Sequence, residues 1–160
     1  MDPTKPHGFF LASFLVLVLL GDLTEACSCK PANLRAACCR SPVVMRAKFM
    51  SISRDSDLDP YLRQNIYRII PTKVYKGPKK LILQESLYTP SSDAYCGYKH
   101  RGPLKGEEYV FSGSSFENRV SILRCSFAKP WNQLTSAEKK ILNHGGDEIC
   151  SCYLDGLRCQ

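Results

Sequence analysis

Cysteines at positions 27 and 29 stand one residue apart in "CSCKP", and a second Cys-x-Cys pair stands at Cys150 and Cys152. Thiolates in such pairs can ligate zinc, but structural zinc sites favour a Cys-x₂₋₄-Cys spacing. A cysteine nucleophile needs a partner base. Of the three histidines, His7, His100 and His144, none sits in a catalytic motif, and the last two read as surface residues. Glu107–Glu108 and Asp147–Glu148 are neighbours in sequence and read as solvated carboxylates. No glycine-rich phosphate loop occurs. The pattern points away from an enzyme and away from a cofactor of the protein's own. What remains is backbone chemistry. A chain cut just before Cys27 would carry an α-amine with a pKa near 7.7–8.0, leaving a neutral, ligating fraction at physiological pH. The amine and carbonyl of one residue can close a chelate ring on a single metal, and a catalytic zinc with an open position is a fitting target.

Such a cut is expected. "GFFLASFLVLVLLG" holds an apolar run from about Phe9 to Leu20, with Lys5 the single basic residue before it. Thr24 and Ala26 are small residues suited to cleavage after Ala26. The run is short for a membrane span, which needs roughly 20 residues. No later stretch could span a bilayer, so the reading is a secreted, extracellular product without a membrane span. Residues 1–26 form the signal peptide, leaving 134 residues for one domain. All nine cysteines lie in that part, as in a disulfide-stapled secreted domain. Nine is odd, so at least one thiol is unpaired within the monomer or pairs with another chain; any eight allow 105 connectivities. In an extended chain residues i and i+2 point the same way. A bond between Cys27 and Cys29 would close a very tight ring, so each is expected to reach a distant partner. Two such bridges flanking Ser28 would fix the new terminus and remove ordering cost on binding. The plainer reading is that they staple a loose end.

The formal charge is +7 for the whole chain and +9 after removal of residues 1–26. That favours polyanions such as heparin-like matrix glycosaminoglycans, or marks only a solvated basic surface. Tyr67, Tyr75, Tyr95, Tyr98 and Tyr109 among the lysines could stack bases. Secretion argues against nucleic acid, and aromatics in strands read as core. No N-x-Ser/Thr sequon is present.

The elements that must position Cys27 are short strands. Pro31–Cys39 reads as a brief helix. Pro42–Ile52 alternates as a half-buried strand, with Val43, Met45, Ala47 and Phe49 on one parity. Asn65–Gly77 is a second strand, where Pro71 predicts a bulge or an edge position. Lys79–Thr89 is a third, followed by a turn-rich connection. Glu107–Gly113 and Asn118–Cys125 follow as a hairpin around Ser114–Glu117. Five strands without strand–helix alternation predict a mainly β fold, a five-stranded Greek-key OB-like barrel with flanking helices. Thr135 three residues before Glu138 is a capping box opening a helix that ends by Gly145. The tail carries Cys150, Cys152 and Cys159.

These residues resemble the tissue inhibitor of metalloproteinases family. "CSCKP", then Cys39 with "VVMRAKF", resembles its opening; "YRIIPTKVYKG" its second strand region; "YTPSSDAYCGY" its next cysteine; and "LRCSFAKPWNQLTSAEKK" its Cys-Ser-Phe segment. The resemblance implies a netrin-like inhibitory domain over 27–150, with 151–160 a short cysteine-bearing tail. It also implies the pairings Cys27–Cys96, Cys29–Cys125 and Cys39–Cys150. Cys27 would chelate the protease zinc through its amine and carbonyl, and Ser28 would enter the specificity pocket. Cys29 and Lys30 would continue along the cleft, supported by Asp93, Ala94 and Tyr95. The implied partners are matrix metalloproteinases and disintegrin-type metalloproteinases. The rival reading is a non-inhibitory netrin-like module that binds matrix polyanions or a receptor.

The sequence departs from the family pattern in four ways. The C-terminal subdomain is almost absent, which puts zymogen docking in doubt. Cys38 is an extra cysteine: either Cys152 pairs with Cys159 and leaves it free, or Cys38 takes one of them or bridges to another chain. Lys30 stands where an uncharged or apolar residue is usual. The loop between the first two strands is short.

Overall fold

A computed structural model of the chain describes residues 27–30, 32–55 and 63–143. Six strands are present: β1 (Val43–Arg54), β2 (Gln64–Lys76), β3 (Ser86–Pro90), β4 (Glu107–Phe116), β5 (Arg119–Ser121) and β6 (Ala128–Pro130). β1 pairs with β2, β2 with β3, β3 in parallel with β5, β5 with β4, and β4 again with β1. That circuit is a closed five-stranded barrel, the architecture expected from the sequence. β6 extends it by pairing with Tyr109–Phe111 of β4, upstream of the residues that β5 takes.

Closure follows from alternation. Met45, Ala47 and Phe49 of β1 point inward with Tyr67 and Ile69 of β2, Leu87 of β3 and Phe111 of β4. The start of β1 is not half-buried as its pattern suggested: Val43, Val44 and Met45 are all fully buried. Val44 faces a second apolar cluster outside the barrel. There two helices, α1 (Leu34–Arg40) and α2 (Ser136–Asn143), contribute Leu34, Ala37, Cys38 and Leu142. A strand covered on both sides loses its period-two contrast.

Several boundaries differ from the sequence reading for local reasons. α1 starts after Asn33, whose Oδ1 accepts from the amide of Ala36 at 2.7 Å, rather than at Pro31. Lys79–Leu83 is a 3-10 turn, so the third strand begins at Ser86. Leu81 of that turn is buried in the barrel core, and one anchoring side chain suits a turn better than a strand. The hairpin turns at Glu117 and Asn118, both with positive φ (46° and 66°), at the far end of the expected Ser114–Glu117 turn, because β4 runs on to Phe116. Consecutive positive φ values match the primed turns that follow strand twist, and Asn tolerates them. Around Pro71 the β1–β2 register shifts, skipping Thr72. Thr72 Oγ1 accepts from Arg46 Nε at 3.0 Å and donates to the Arg46 carbonyl at 3.2 Å. β3 covers β2 only at Gln64–Arg68, so Pro71 does lie beyond it. Thr135 Oγ1 accepts from the Glu138 amide at 3.1 Å while Glu138 accepts from the Thr135 amide at 2.7 Å, the expected capping box. The end of this helix near Gly145 lies outside the described residues.

His100 corrects another expectation. It does not sit on the surface; its ring stacks on Phe49 at 4.3 Å and meets Tyr109 edge-on at 4.5 Å. Tyr98 Oη lies 3.0 Å from its Nδ1, and its Nε2 is buried without a partner. Burial lowers its pKa from the usual 6.5, against the smaller opposing pull of Glu107. The unfolded chain therefore binds this proton at higher pH than the folded one. The stability contributed by neutral His100 is complete above about pH 6.5 and is lost as pH falls through the lowered folded value. Thermal melts across mildly acidic pH should show this loss in wild type and a flatter profile in His100→Phe. Equal slopes in both proteins would refute the assignment.

Candidate functional site

The Cys-x-Cys segment is held against two loops that lie side by side. Ser91–Gly97 winds tightly after β3. Ser92 Oγ accepts from the Ala94 amide at 3.2 Å, and the amides of Cys96 and Gly97 reach the carbonyls of Asp93 (3.0 Å) and Ser92 (3.2 Å). Cys96 takes left-handed backbone, φ 58°. A Cβ on Gly97 would lie 2.0 Å from the Pro90 carbonyl oxygen, so only glycine fits there. Gly97 bridges to Leu123, and the Arg124 amide donates to the Cys96 carbonyl at 2.7 Å. This pairing places Cys96 beside Cys125. Below it, buried Thr89 accepts the Tyr98 amide at 2.7 Å.

Onto these two anchors the terminal cysteines close. Cys27 bonds to Cys96 and Cys29 to Cys125, with Cα–Cα separations of 5.7 and 5.1 Å. Closing loops of 69 and 96 residues removes much freedom from the unfolded chain. Cys27 Sγ also lies 3.5 Å from the Asp93 carbonyl oxygen. A disulfide sulfur has no proton to donate, so this is a packing contact. Cys27 is buried, while Ser28, Cys29 and Lys30 are exposed. Asp93, Ala94 and Tyr95 are exposed beside them, with Tyr95 showing 54% of its surface. Each of these seven residues thus belongs to the bridged N-terminal segment or to the turn bridged to it.

Electrostatics fix the turn further. Lys99 Nζ sits 2.7 Å from Asp93 Oδ2. Its hydrogen bond holds the Asp93 carboxyl below the usual range, and the charge of Arg124 adds to this. Sequence reading missed Ser92, Gly97, Lys99 and Arg124. The signal for the glycine was the Cys-Gly dipeptide; the others depend on which loops meet.

Tyr67, Tyr75, Tyr98 and Tyr109 are buried, which removes four of the five stacking faces weighed for nucleic acid. Glu108 lies 3.6 Å from Arg46. Cys38 is buried on the inner side of α1, where its carbonyl accepts from Lys76 Nζ at 2.5 Å; Cys39 is half-buried. Cys150, Cys152 and Cys159, and so the pairings drawn to them, lie outside the described residues, as does His144. Among the described residues no cluster of three or more His, Cys, Asp or Glu side chains could hold a metal. Among the same residues, no helix is long and apolar enough to cross a membrane.

Gly97→Ala must push the Pro90 backbone away or unwind the turn. The expected cost is about 2–4 kcal/mol, read as a fall in Tm of roughly 6–12 °C. Calorimetry showing an unchanged Tm would mean that the turn is not held as described.

The chain matches the family model for tissue inhibitor of metalloproteinase over residues 25–160. It is 38% identical over 150 residues to metalloproteinase inhibitor 2 of Canis lupus familiaris, covering 91% of this chain and 66% of that protein. With metalloproteinase inhibitor 2 of Homo sapiens it shares 36% over 152 residues, 91% of this chain and 67% of the relative. With metalloproteinase inhibitor 3 of Scyliorhinus torazame it shares 31% over 135 residues, 84% and 61% respectively. The chain spans about two thirds of the length of these curated relatives. The family is one of inhibitors rather than enzymes, and by the extent of these matches this chain belongs to the tissue inhibitor of metalloproteinase family.

Proposed function

We propose that the protein is a secreted inhibitor of zinc metalloproteinases that works through the terminus exposed when residues 1–26 are removed. The observation that carries this reading is the double bridge: Cys27 to Cys96 and Cys29 to Cys125, with exposed Ser28 between them and exposed Asp93–Tyr95 alongside. A segment pinned at two points one residue apart has little freedom left to lose on binding. Family membership supports the choice of partner.

In the proposed mechanism, cleavage turns the Cys27 peptide nitrogen into an α-amine. That amine and the Cys27 carbonyl oxygen ligate the zinc of the protease, so zinc is the partner's and not a cofactor of this chain. Two ligands on the open side of a catalytic zinc displace the water that would attack a peptide. Ser28 points into the specificity pocket, and its small side chain admits pockets of varied depth. Cys29 and exposed Lys30 continue along the cleft, and the positive charge of Lys30 favours clefts with acidic walls. Asp93, Ala94 and Tyr95 form the second rim of the wedge. The proposed targets are matrix metalloproteinases and disintegrin-type metalloproteinases. The basic balance of the chain also favours a second, weaker association with heparin-like polyanions.

Blocking the amine tests the chelation. One added residue before Cys27, or acetylation of its amine, should weaken inhibition by about a thousandfold, roughly 4 kcal/mol, with Tm unchanged. The measurement is titration of the mature and blocked proteins against a panel of catalytic domains. Full potency in the blocked protein would sink the mechanism.

A further inference from the structure

At the end of the barrel opposite the bridged segment, two turns lift large apolar side chains into solvent. β3 and β5 run parallel, with Leu87 beside Val120 and Tyr88 beside Ser121. Each leads toward the wedge. β3 ends at Pro90 and enters the Ser91–Gly97 turn, and β5 ends just before Leu123, which bridges to Gly97. Their beginnings therefore share the opposite end, about 16 Å away along the strand. The 3-10 turn Lys79–Leu83 precedes β3, and the hairpin turn at Glu117 and Asn118 precedes β5. Leu83 on the first is 81% exposed and Phe116 beside the second is 76% exposed, the highest values for large apolar side chains among the described residues.

The 3-10 turn is firmly built. Gly77 enters it with φ 108°, the Leu81 amide donates to the Pro78 carbonyl at 3.0 Å, and the Gln84 amide donates to the Leu81 carbonyl at 3.1 Å. The Glu85 carbonyl then accepts from the Ile69 amide at 2.8 Å, which ties the turn to β2. Side chains three apart eclipse in such a turn. With Leu81 buried in the core, the two remaining faces carry Lys79 with Ile82 and Lys80 with Leu83, all four exposed. Among the described residues neither lysine forms an ion pair. The acids nearest in sequence to the two apolar tips are Glu85 and Glu117, both exposed.

We propose that this end is a docking surface for an anionic phospholipid bilayer, with Leu83 and Phe116 entering the boundary between headgroups and acyl chains and Lys79 and Lys80 meeting the headgroups. Two observations choose lipid. Each exposed face of the 3-10 turn pairs an ammonium with an aliphatic side chain, so carbon can sink while charge stays at headgroup level. A sulfated polysaccharide would use the lysines and leave Leu83 and Phe116 in water. The apolar side chains also stand singly on turns among polar residues, whereas a stable protein partner needs a continuous face of about 800 Å². A fluid bilayer moulds to separate tips. Glu85 and Glu117 oppose the headgroup charge, so the association is weak and needs both apolar contacts. Docking at this end leaves the wedge directed away from the lipid, and it does not depend on what the wedge inhibits.

Co-sedimentation of the mature full chain with vesicles tests the docking, using phosphatidylcholine alone and phosphatidylcholine with phosphatidylserine. Retention on heparin and molecular mass in solution are measured in parallel. Wild type should bind the phosphatidylserine vesicles about tenfold more tightly than the phosphatidylcholine ones. Leu83→Ser/Phe116→Ser should weaken that binding about tenfold and leave heparin retention unchanged. Lys79→Glu/Lys80→Glu should weaken it more than Arg101→Glu/Lys105→Glu, a charge-matched pair of exposed residues that precede β4 at the end away from Phe116. Leu83→Ser alone repeats the measurement if the double variant melts early. Equal vesicle binding by wild type and the serine variants, or equal losses from the two charge pairs, would overturn the docking and leave only the general attraction of a basic chain. A wild type that ignores both vesicles would overturn it too. Loss of heparin retention in the serine variants would then assign this end to a sulfated chain, and loss of a dimer would assign it to a second copy.

Discussion

Everything at the functional end of this molecule depends on Cys96 and Cys125 being neighbours. They lie 29 residues apart in the chain, and the contact between them is made by backbone: Gly97 against Leu123, and the Arg124 amide on the Cys96 carbonyl. Gly97 makes that contact possible because its missing side chain lets the turn fold back on Pro90. Once the two anchors are fixed, a single extended segment can reach both with alternate residues. The spacing of Cys27 and Cys29 then ceases to be a curiosity. It is the spacing that clamps one residue between two fixed points.

The barrel supplies the stiffness behind this clamp. A closed sheet has no free edge to slide, so the end of β3 and the start of the loop after β5 hold a constant separation. Aromatic side chains from three strands meet around Phe49, with Tyr67, Tyr109 and Phe111 at ring distances of 5.4 to 5.8 Å. His100 completes this group, and its backbone amide donates to Tyr67 Oη at 3.1 Å. The connection that follows the wedge is thus tied to the core within a few residues of Cys96. Helices α1 and α2 cover the opposite side of β1, where Trp131 lies under Arg46 at 4.3 Å and Lys139 at 5.4 Å. Exposed Ser28 and Lys30 therefore project from a body that has few ways to yield, which is what a rigid wedge needs.

Charge enters at a different level. The excess of lysine and arginine says that the chain attracts anions, but not where. The structure divides that excess by function. Lys129 bonds to Glu138 at 2.9 Å and secures a helix, Arg46 covers Trp131, and Lys99 braces Asp93. Arg101 and Arg124 line a groove next to the wedge. Cations engaged in this way hold local structure as well as adding to the attraction for anions.

The run of five strands along the chain and the capping box were legible in the residues because they rest on local rules: alternation, turn chemistry and a hydroxyl three residues before a carboxylate. The motifs around Cys27, Cys96 and Cys125 were legible as a family resemblance. The 3-10 turn at Lys79–Leu83 was not, because "LIL" reads as strand until Leu81 is seen anchored in the core. Nor was the burial of His100, whose neighbours come from three separate strands and a loop. By itself the sequence determined that a cysteine-stapled, basic, strand-rich chain would carry two cysteines flanking one small residue. Only the tertiary structure decided that their partners adjoin, that the turn beside them is braced by Lys99, and that two arginines share its groove. Those facts depend on loops brought together by barrel closure, and no local pattern encodes a contact made across the whole length of the chain.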